Sequence, residues 1–132
     1  NFEKEFINKE VGLKYDLENV CIMADSDRIY QVFVNLISNA LKYTDRDGQV
    51  ELSLKRFGDK AEFIIKDNGE GISKEDMTLV FERFYRVDRS RSRQTGGAGI
   101  GLSIVKAIVD SHGGEITIES ELNRGTTVRV LL

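Results

Sequence analysis

Three short stretches hold the residue types that chemistry on a charged ligand needs. The first is QVFVNLISNALKYT, residues 31–44, where Asn35 and Asn39 stand four apart. On a helix they share a face. An advance of about 100° per residue brings Lys42 within roughly 60° of both. Two amide oxygens and one ammonium beside an apolar stripe suit a metal–phosphate complex, since magnesium takes oxygen ligands, keeps several waters and uses few protein groups besides phosphate. The spacing by itself equally fits a solvated helix face with ordinary asparagines.

The second stretch, Asp67-Asn68-Gly69-Glu70-Gly71, follows a strand-like run. An aspartate at a strand end can accept a hydrogen bond from an exocyclic amine, and glycines beside it let a flat ring approach the backbone. D-N-G is also a good turn sequence. The third, Gly96-Gly97-Ala98-Gly99-Ile100-Gly101, runs into an apolar periodic segment. A glycine-rich helix entry offers free N–H groups and a positive dipole end to phosphate, although a plain linker has the same composition. Known nucleotide loops do not match. Gly96 and Gly101 have the Walker A spacing, but Leu102 stands where its lysine belongs. Leu102 also occupies the third glycine position of the Rossmann fingerprint. With no H-R-D or D-F-G triplet, a eukaryotic-type protein kinase is excluded.

These residues need elements to position them. Residues 11–16 alternate as a strand and 20–24 form a short apolar one. Asp25, Ser26 and Asp27 are N-cap candidates for a long amphipathic helix to Thr44, with Ile29, Val32, Phe33, Leu36, Ile37 and Ala40 on its apolar face. Asp47-Gly48 signals a turn. Residues 49–57 and 61–67 then read as a hairpin joined at Gly58-Asp59. Ser73 caps a short helix over 74–81. Residues 82–98 are polar, arginine-rich and read as mobile. A second long helix runs from Gly99 to about His112 and ends at Gly113-Gly114. Strands over 115–120 and 126–132 close the chain. The order mixes hairpins with two long helices and does not repeat strand–helix units. It predicts an α+β two-layer sandwich, a mixed and mostly antiparallel sheet with helices on one face.

Composition sets the frame. The 132 residues, 40% hydrophobic and 31% charged, suit one domain with one core. No apolar run approaches the roughly 20 residues of a membrane-spanning helix, and the charged start NFEKEFINKE is not a signal peptide. A net charge of −3 argues against a general nucleic-acid binder. The single cysteine, Cys21, has no disulfide or metal-ligand partner of its own kind and reads as a buried strand thiol in a reducing cytoplasm.

Taken together and in order, these motifs resemble the catalytic and ATP-binding domain of bacterial sensor histidine kinases, in the GHKL ATPase superfamily with its Bergerat-type sandwich. The resemblance covers about Val11 to Leu132. Residues 31–44 resemble the N box, DNGEGI (67–72) the G1 box, FERFYR (81–86) the F box and GGAGIGLSIV (96–105) the G2 box. It implies that Asn39 binds Mg2+ and that Asn35 lies at the phosphates. Lys42 then contacts phosphate, Tyr43 packs near the adenine and Asp67 bonds the adenine amino group. Gly69, Gly71 and Ile72 shape that wall, and Gly97, Gly99, Gly101 and Leu102 hold the lid hinge and phosphates. Arg86 reaches the terminal phosphate, Arg83 being less clearly matched, while Phe81 and Phe84 anchor a lid over 73–96 and face the histidine-bearing domain. The arginine cluster Arg83, Arg86, Arg89, Arg91 and Arg93 would give that lid charge to set against a triphosphate, or simply keep a loop soluble.

Two departures stand out. Ala98 replaces the threonine common in the G2 box. The only histidine, His112, lies at a helix end, where a partly charged imidazole is favoured, and reads as structural rather than as a phosphoacceptor. The resemblance therefore implies γ-phosphoryl transfer from Mg-ATP to a histidine on a separate dimerisation domain, with residues 1–10 as the connector from it. A response regulator acts downstream. The implied parent is dimeric and membrane-anchored with this domain cytoplasmic, and the isolated domain is monomeric. Asn35 stands where related ATPases place a general-base glutamate, so hydrolysis by the domain alone should be slow. An anti-sigma-type serine kinase and a non-catalytic nucleotide sensor are the rival readings.

Overall fold

Alternation in the later strands β3 (Lys60–Asp67), β4 (Glu115–Glu121) and β5 (Gly125–Leu131) carries into burial and decides which face the helices cover, whereas β1 (Gly12–Leu17) is exposed along most of its length. The computed structural model describes residues 2–20, 22, 24–77 and 101–132. Its elements are α1 (Phe2–Lys9), β1 (Gly12–Leu17), α2 (Ser26–Tyr43), β2 (Gln49–Phe57), β3 (Lys60–Asp67), α3 (Lys74–Met77), α4 (Gly101–Ser111), β4 (Glu115–Glu121) and β5 (Gly125–Leu131). The five strands form one sheet in the order β1-β2-β3-β5-β4. Only β1 and β2 run parallel among these pairs; the other three are antiparallel. Val50 of β2, Phe63 and Ile65 of β3, and Val128 and Val130 of β5 point into the core with Val32, Leu36 and Ala40 of α2 and Val105, Ile108 and Val109 of α4. The intervening Glu51, Lys55 and Lys66 are exposed on the opposite face. This is the expected α+β sandwich, with the helices on one side.

Local signals set most boundaries. Asp25 is the N-cap of α2, its carboxylate accepting from the Asp27 and Arg28 N–H groups. The six expected apolar positions of α2 all join the core or pack on it, and the Phe33 and Phe63 rings meet at 4.7 Å. Gly58 at φ +64°, followed by Asp59 without a positive φ, gives the β2–β3 hairpin the pattern of a type II′ turn. Ser73 caps α3 by accepting from the Asp76 N–H at 3.2 Å. Helix α4 ends in a Schellman turn: Gly114 N–H donates to Val109 O, Gly113 N–H donates to Asp110 O, and Gly113 has φ +70°.

Two regions differ from expectation. Of the strand expected over 20–24, the described residues Val20, Ile22 and Ala24 belong to no strand, and Cys21 and Met23 lie outside the described residues. The ladder ends earlier because the Glu18 carboxylate, not a backbone carbonyl, accepts from the Arg56 N–H at 3.0 Å. Residues 2–9 are helical, and Phe6 is 1% exposed in the core. That helix also closes with a Schellman turn, Val11 N–H to Phe6 O and Glu10 N–H to Ile7 O, with Glu10 rather than glycine at φ +62°. Among the described residues no helix is long and apolar enough to cross a membrane.

His112 latches the far ends of the two long helices. The Asp25 N–H donates to its Nε2 at 3.2 Å, and its Nδ1 lies 2.8 Å from Ile108 O. A backbone N–H can only donate, so Nε2 is unprotonated and the Nδ1–H donates to Ile108 O. The ring thus ties the start of α2 to the end of α4, which is a structural role.

Candidate functional site

The C-terminal end of α2 and the N-terminal end of α4 converge over the middle of β3 and β5 and leave a cleft between them. Its empty space, open mouth included, is about 570 Å³. Ile65, Ile118 and Val128 of the sheet form an apolar floor, and Leu36, Ala40, Ile72 and Leu102 form apolar walls. Four side chains bring polar groups to the lining: Asn39 and Tyr43 from α2, Asp67 from β3 and Thr126 from β5. An apolar slot with one carboxylate at its end fits a flat heterocycle bearing an amine.

Asp67 ends β3 opposite Thr126. The Gly69 N–H donates to its Oδ1 at 2.9 Å. Burial raises its pKa above 3.8, against the lowering effect of the Gly69 and Thr126 N–H groups, and the nearby Glu70 charge adds to the rise. The carboxylate is thus held as an acceptor by two backbone donors in a site that does not favour its charge.

The loop after Asp67 is fastened on two sides. On one side the Glu70 N–H donates to Tyr43 O at 3.1 Å, and Gly69 lies so close to that carbonyl that a Cβ would overlap it. On the other side the Asn123 N–H donates to Glu70 O at 2.7 Å and the Ile72 N–H to Ser120 Oγ at 2.8 Å. Gly71, at φ +71°, presses on the Glu121 carbonyl. Ser120 Oγ also donates to Gly125 O at 2.9 Å and lies 2.8 Å from Thr126 Oγ1. Gly125, at φ +127°, permits β5 to approach the Asp67 carbonyl.

Of the residues singled out from sequence, Asn39, Tyr43, Asp67, Gly71, Ile72 and Leu102 line one cleft, and Gly69 sits behind Asp67. Gly101 opens α4 as described, which brings the N-terminal end of that helix to the cleft beside Leu102. Asn35 and Lys42 are half-buried on α2 and are not among the described lining residues. Lys42 Nζ lies 5.9 Å from the centre of the Tyr43 ring. Arg83, Arg86, Gly97, Ala98 and Gly99, with Phe81, Phe84 and most of the lid span, lie outside the described residues. Sequence reasoning missed Thr126, Ser120 and Gly125. A glycine at the start of a strand, in Arg124-Gly125-Thr126, was the available sign of a close backbone approach.

Asn39 brings an amide oxygen to the lining, and no group of three or more His, Cys, Asp or Glu is placed to hold a metal among the described residues. That donor set does not make a protein cage. It fits a hard cation held by one amide oxygen, phosphate oxygens and water, as magnesium often is. Asp67 and Tyr43 are the titratable side chains of the lining among the described residues.

Comparison with known proteins identifies the family. Residues 24–132 match the family model described as histidine kinase-, DNA gyrase B- and HSP90-like ATPase. Sensor histidine kinase WalK of Bacillus subtilis is 46% identical over 111 residues, 82% of this chain and 18% of WalK. Sensor histidine kinase RppB of Synechocystis is 36% identical, covering 98% of this chain and 30% of RppB. The chain therefore spans less than a third of either relative. Among solved structures, the mycobacterial sensor histidine kinase MprB superposes with a TM-score of 0.83 at 28% identity, over 99% of this chain and 87% of that one. The catalytic domain of histidine kinase ThkA gives 0.84 at 27% identity, over 99% and 84%. The matched segment contains every cleft residue named above, and the chain belongs to the histidine kinase-, DNA gyrase B- and HSP90-like ATPase family.

Proposed function

We propose that this domain binds Mg-ATP and transfers its γ-phosphoryl group to a histidine on another domain of a sensor kinase, which then passes it to a response regulator. One observation carries the reading: α2, the Asp67–Ile72 loop, α4 and β5 converge on a single cleft with a carboxylate at one end and a helix N-terminus beside it. Asp67 accepts a hydrogen bond from the adenine amino group, while Ile65, Ile72 and Val128 exclude water from the ring. Tyr43 packs at the ring's edge. Asn39 supplies the amide oxygen that holds Mg2+, and Lys42 with Asn35 faces the phosphates. Bound Mg2+ offsets phosphate charge and orients the terminal group. The residues near Gly101 present N–H groups to the phosphates, and Arg86 completes the charge around the γ-phosphate. Phosphoryl transfer of this kind rests on positioning and charge neutralisation.

Transfer is favoured over hydrolysis because Asn35 cannot act as a general base for water. The parent is proposed to be dimeric and membrane-anchored with this domain in the cytoplasm, residues 1–10 as its connector and residues 73–96 as its lid. The isolated domain is monomeric. The test has two arms. Titration with a non-hydrolysable ATP analogue, with and without magnesium, should saturate for the wild type and lose its magnesium dependence in Asn39→Ala. Mixing with a histidine-bearing dimerisation domain and γ-labelled ATP should yield an acid-labile phosphoprotein. An acid-stable product, or saturation unaffected by magnesium in the wild type, contradicts the proposal.

A further inference from the structure

We infer that Lys9 of α1 is a positioning residue for the nucleotide cleft, acting through the last carbonyls of α2. The inference rests on the ATP reading of the cleft and extends it to a segment with no residue in the lining.

An α-helix leaves its last four carbonyls without partners inside the helix. In α2 these belong to Ala40, Leu41, Lys42 and Tyr43. All four are satisfied from outside the ladder. The Thr44 hydroxyl donates to Ala40 O at 2.6 Å. Lys9 Nζ donates to Leu41 O at 2.7 Å and to Lys42 O at 3.1 Å. The Glu70 N–H donates to Tyr43 O at 3.1 Å. Half of this helix end is therefore closed by one side chain more than thirty residues upstream. It is a cation at the negative end of the helix dipole, where charge-assisted bonds are stronger than neutral ones.

The turn that Lys9 closes is the turn that faces the ligand. Tyr43 lines the cleft, Asn39 lines it one turn earlier, and the Tyr43 carbonyl seats Gly69 and so the loop carrying Asp67. The position of this turn sets the width of the slot between α2 and Asp67. Lys9 itself is delivered by a fixed arm. Phe6 and Val11 are buried, the Schellman turn at Glu10 ends α1, and Glu10 O accepts from the Asp47 N–H at 2.8 Å just beyond α2. A lysine on a frayed terminus would lose side-chain and backbone freedom to make these contacts; here most of that ordering comes from Phe6.

Lys9→Met keeps the aliphatic stem and removes the ammonium. Two half-buried carbonyls then lose a charged donor, and the expected consequence is a rise of about three- to ten-fold in the Kd for an ATP analogue. The measurement is calorimetric titration of wild type, Lys9→Met and a control, Lys4→Met, on the exposed side of the same helix, well below the melting temperature of each. A purely structural role would lower the melting temperature and leave that Kd unchanged. In the wild type, carbonyl 13C signals of Leu41 and Lys42 and the 15Nζ signal of Lys9 should shift together when the analogue binds. This second readout stands even where Lys9→Met fails to fold. Weakened binding in Lys9→Met but not Lys4→Met, or the joint shift, supports the inference. Folded Lys9→Met binding within two-fold of wild type overturns it while leaving the cleft reading intact, as do unmoved Lys9, Leu41 and Lys42 signals in a saturated wild type. Failure of the wild type to bind overturns both.

Discussion

Replacing Asp67 with asparagine separates the requirement for a carboxylate from the requirement for its shape. In the folded protein two backbone N–H groups, of Gly69 and Thr126, aim at this side chain. A carboxylate can accept from both and still offer a lone pair to a ligand amine. An amide has one acceptor oxygen, so its NH2 must face either a backbone N–H or the ligand amine. A hydrogen bond to a charged group contributes about 1.5–3 kcal/mol, which at about 1.4 kcal/mol per decade makes Asp67→Asn bind ATP about ten- to a hundred-fold more weakly. The fold should suffer little. Burial holds the folded-state pKa of Asp67 above 3.8, so the folded protein binds this proton more tightly than the unfolded one. The contribution to stability is then fully present below pH 3.8 and is lost as pH rises through the raised value. At neutral pH the ionised carboxylate costs stability, and its removal offsets part of the lost N–H bonds. The assay is calorimetric titration of both proteins with ATP and with purine riboside triphosphate, which lacks the 6-amino group, repeated at falling pH. Wild type should discriminate between the two ligands and lose that preference as Asp67 protonates. Asp67→Asn should show little preference at any pH, and protonation of the adenine ring cancels in the comparison of the two proteins. A folded Asp67→Asn that retains wild-type affinity and preference for ATP would refute the reasoning.

Three further substitutions test the surroundings. Gly71→Ala meets a left-handed φ and the Glu121 carbonyl together; it should cost about 2 kcal/mol or more in urea unfolding, and a loss below 0.5 kcal/mol would show that the loop does not pack as described. Ser120→Ala removes the acceptor for Ile72 N–H and the hydroxyl beside Thr126; it should cost about 1–2 kcal/mol of stability and lower ATP preference over purine riboside triphosphate, measured by the same titration. His112→Ala opens the latch between Asp25 and Ile108 at the end of the helices away from the cleft; it should cost about 1–2 kcal/mol in thermal unfolding and leave the ATP Kd within two-fold.

Periodicity made most of the fold legible, because its cause is local. The six apolar positions of α2, the Gly58-Asp59 hairpin and the Gly113-Gly114 stop each follow from residues within one or two turns of one another. What escaped was set by contacts distant in sequence. Helix α1 buries Phe6 but ends on Glu10 in the left-handed region, where glycine would have announced the turn. The pairing of β1 with β2 stops at Leu17, because the Glu18 side chain takes the next donor of β2. The site was legible through Asn39, Tyr43, Asp67, Gly71, Ile72 and Leu102, which come from recognisable boxes. Thr126 was not, because nothing in Thr-Thr on a closing strand shows that β5 inserts between β3 and β4 and so stands directly beside Asp67.

That insertion also changes what the glycines of the nucleotide loop are for. Read from sequence, Gly69 and Gly71 make room for a flat ring. In the folded chain a Cβ at either position meets protein backbone: the Tyr43 carbonyl at Gly69 and the Glu121 carbonyl at Gly71. Gly125 completes the pattern against the Asp67 carbonyl. Three backbone approaches, none of which needs a ligand, lock the loop between the end of α2 and the β4–β5 turn. Asp67 therefore faces the cleft already oriented, and nucleotide binding does not bear the entropy of ordering that wall. The same tight joints supply the route by which Lys9 would act on a carboxylate it never touches: from its ammonium to the Leu41 and Lys42 carbonyls, along the backbone to Tyr43, whose carbonyl seats Gly69, and from the Gly69 N–H to Asp67.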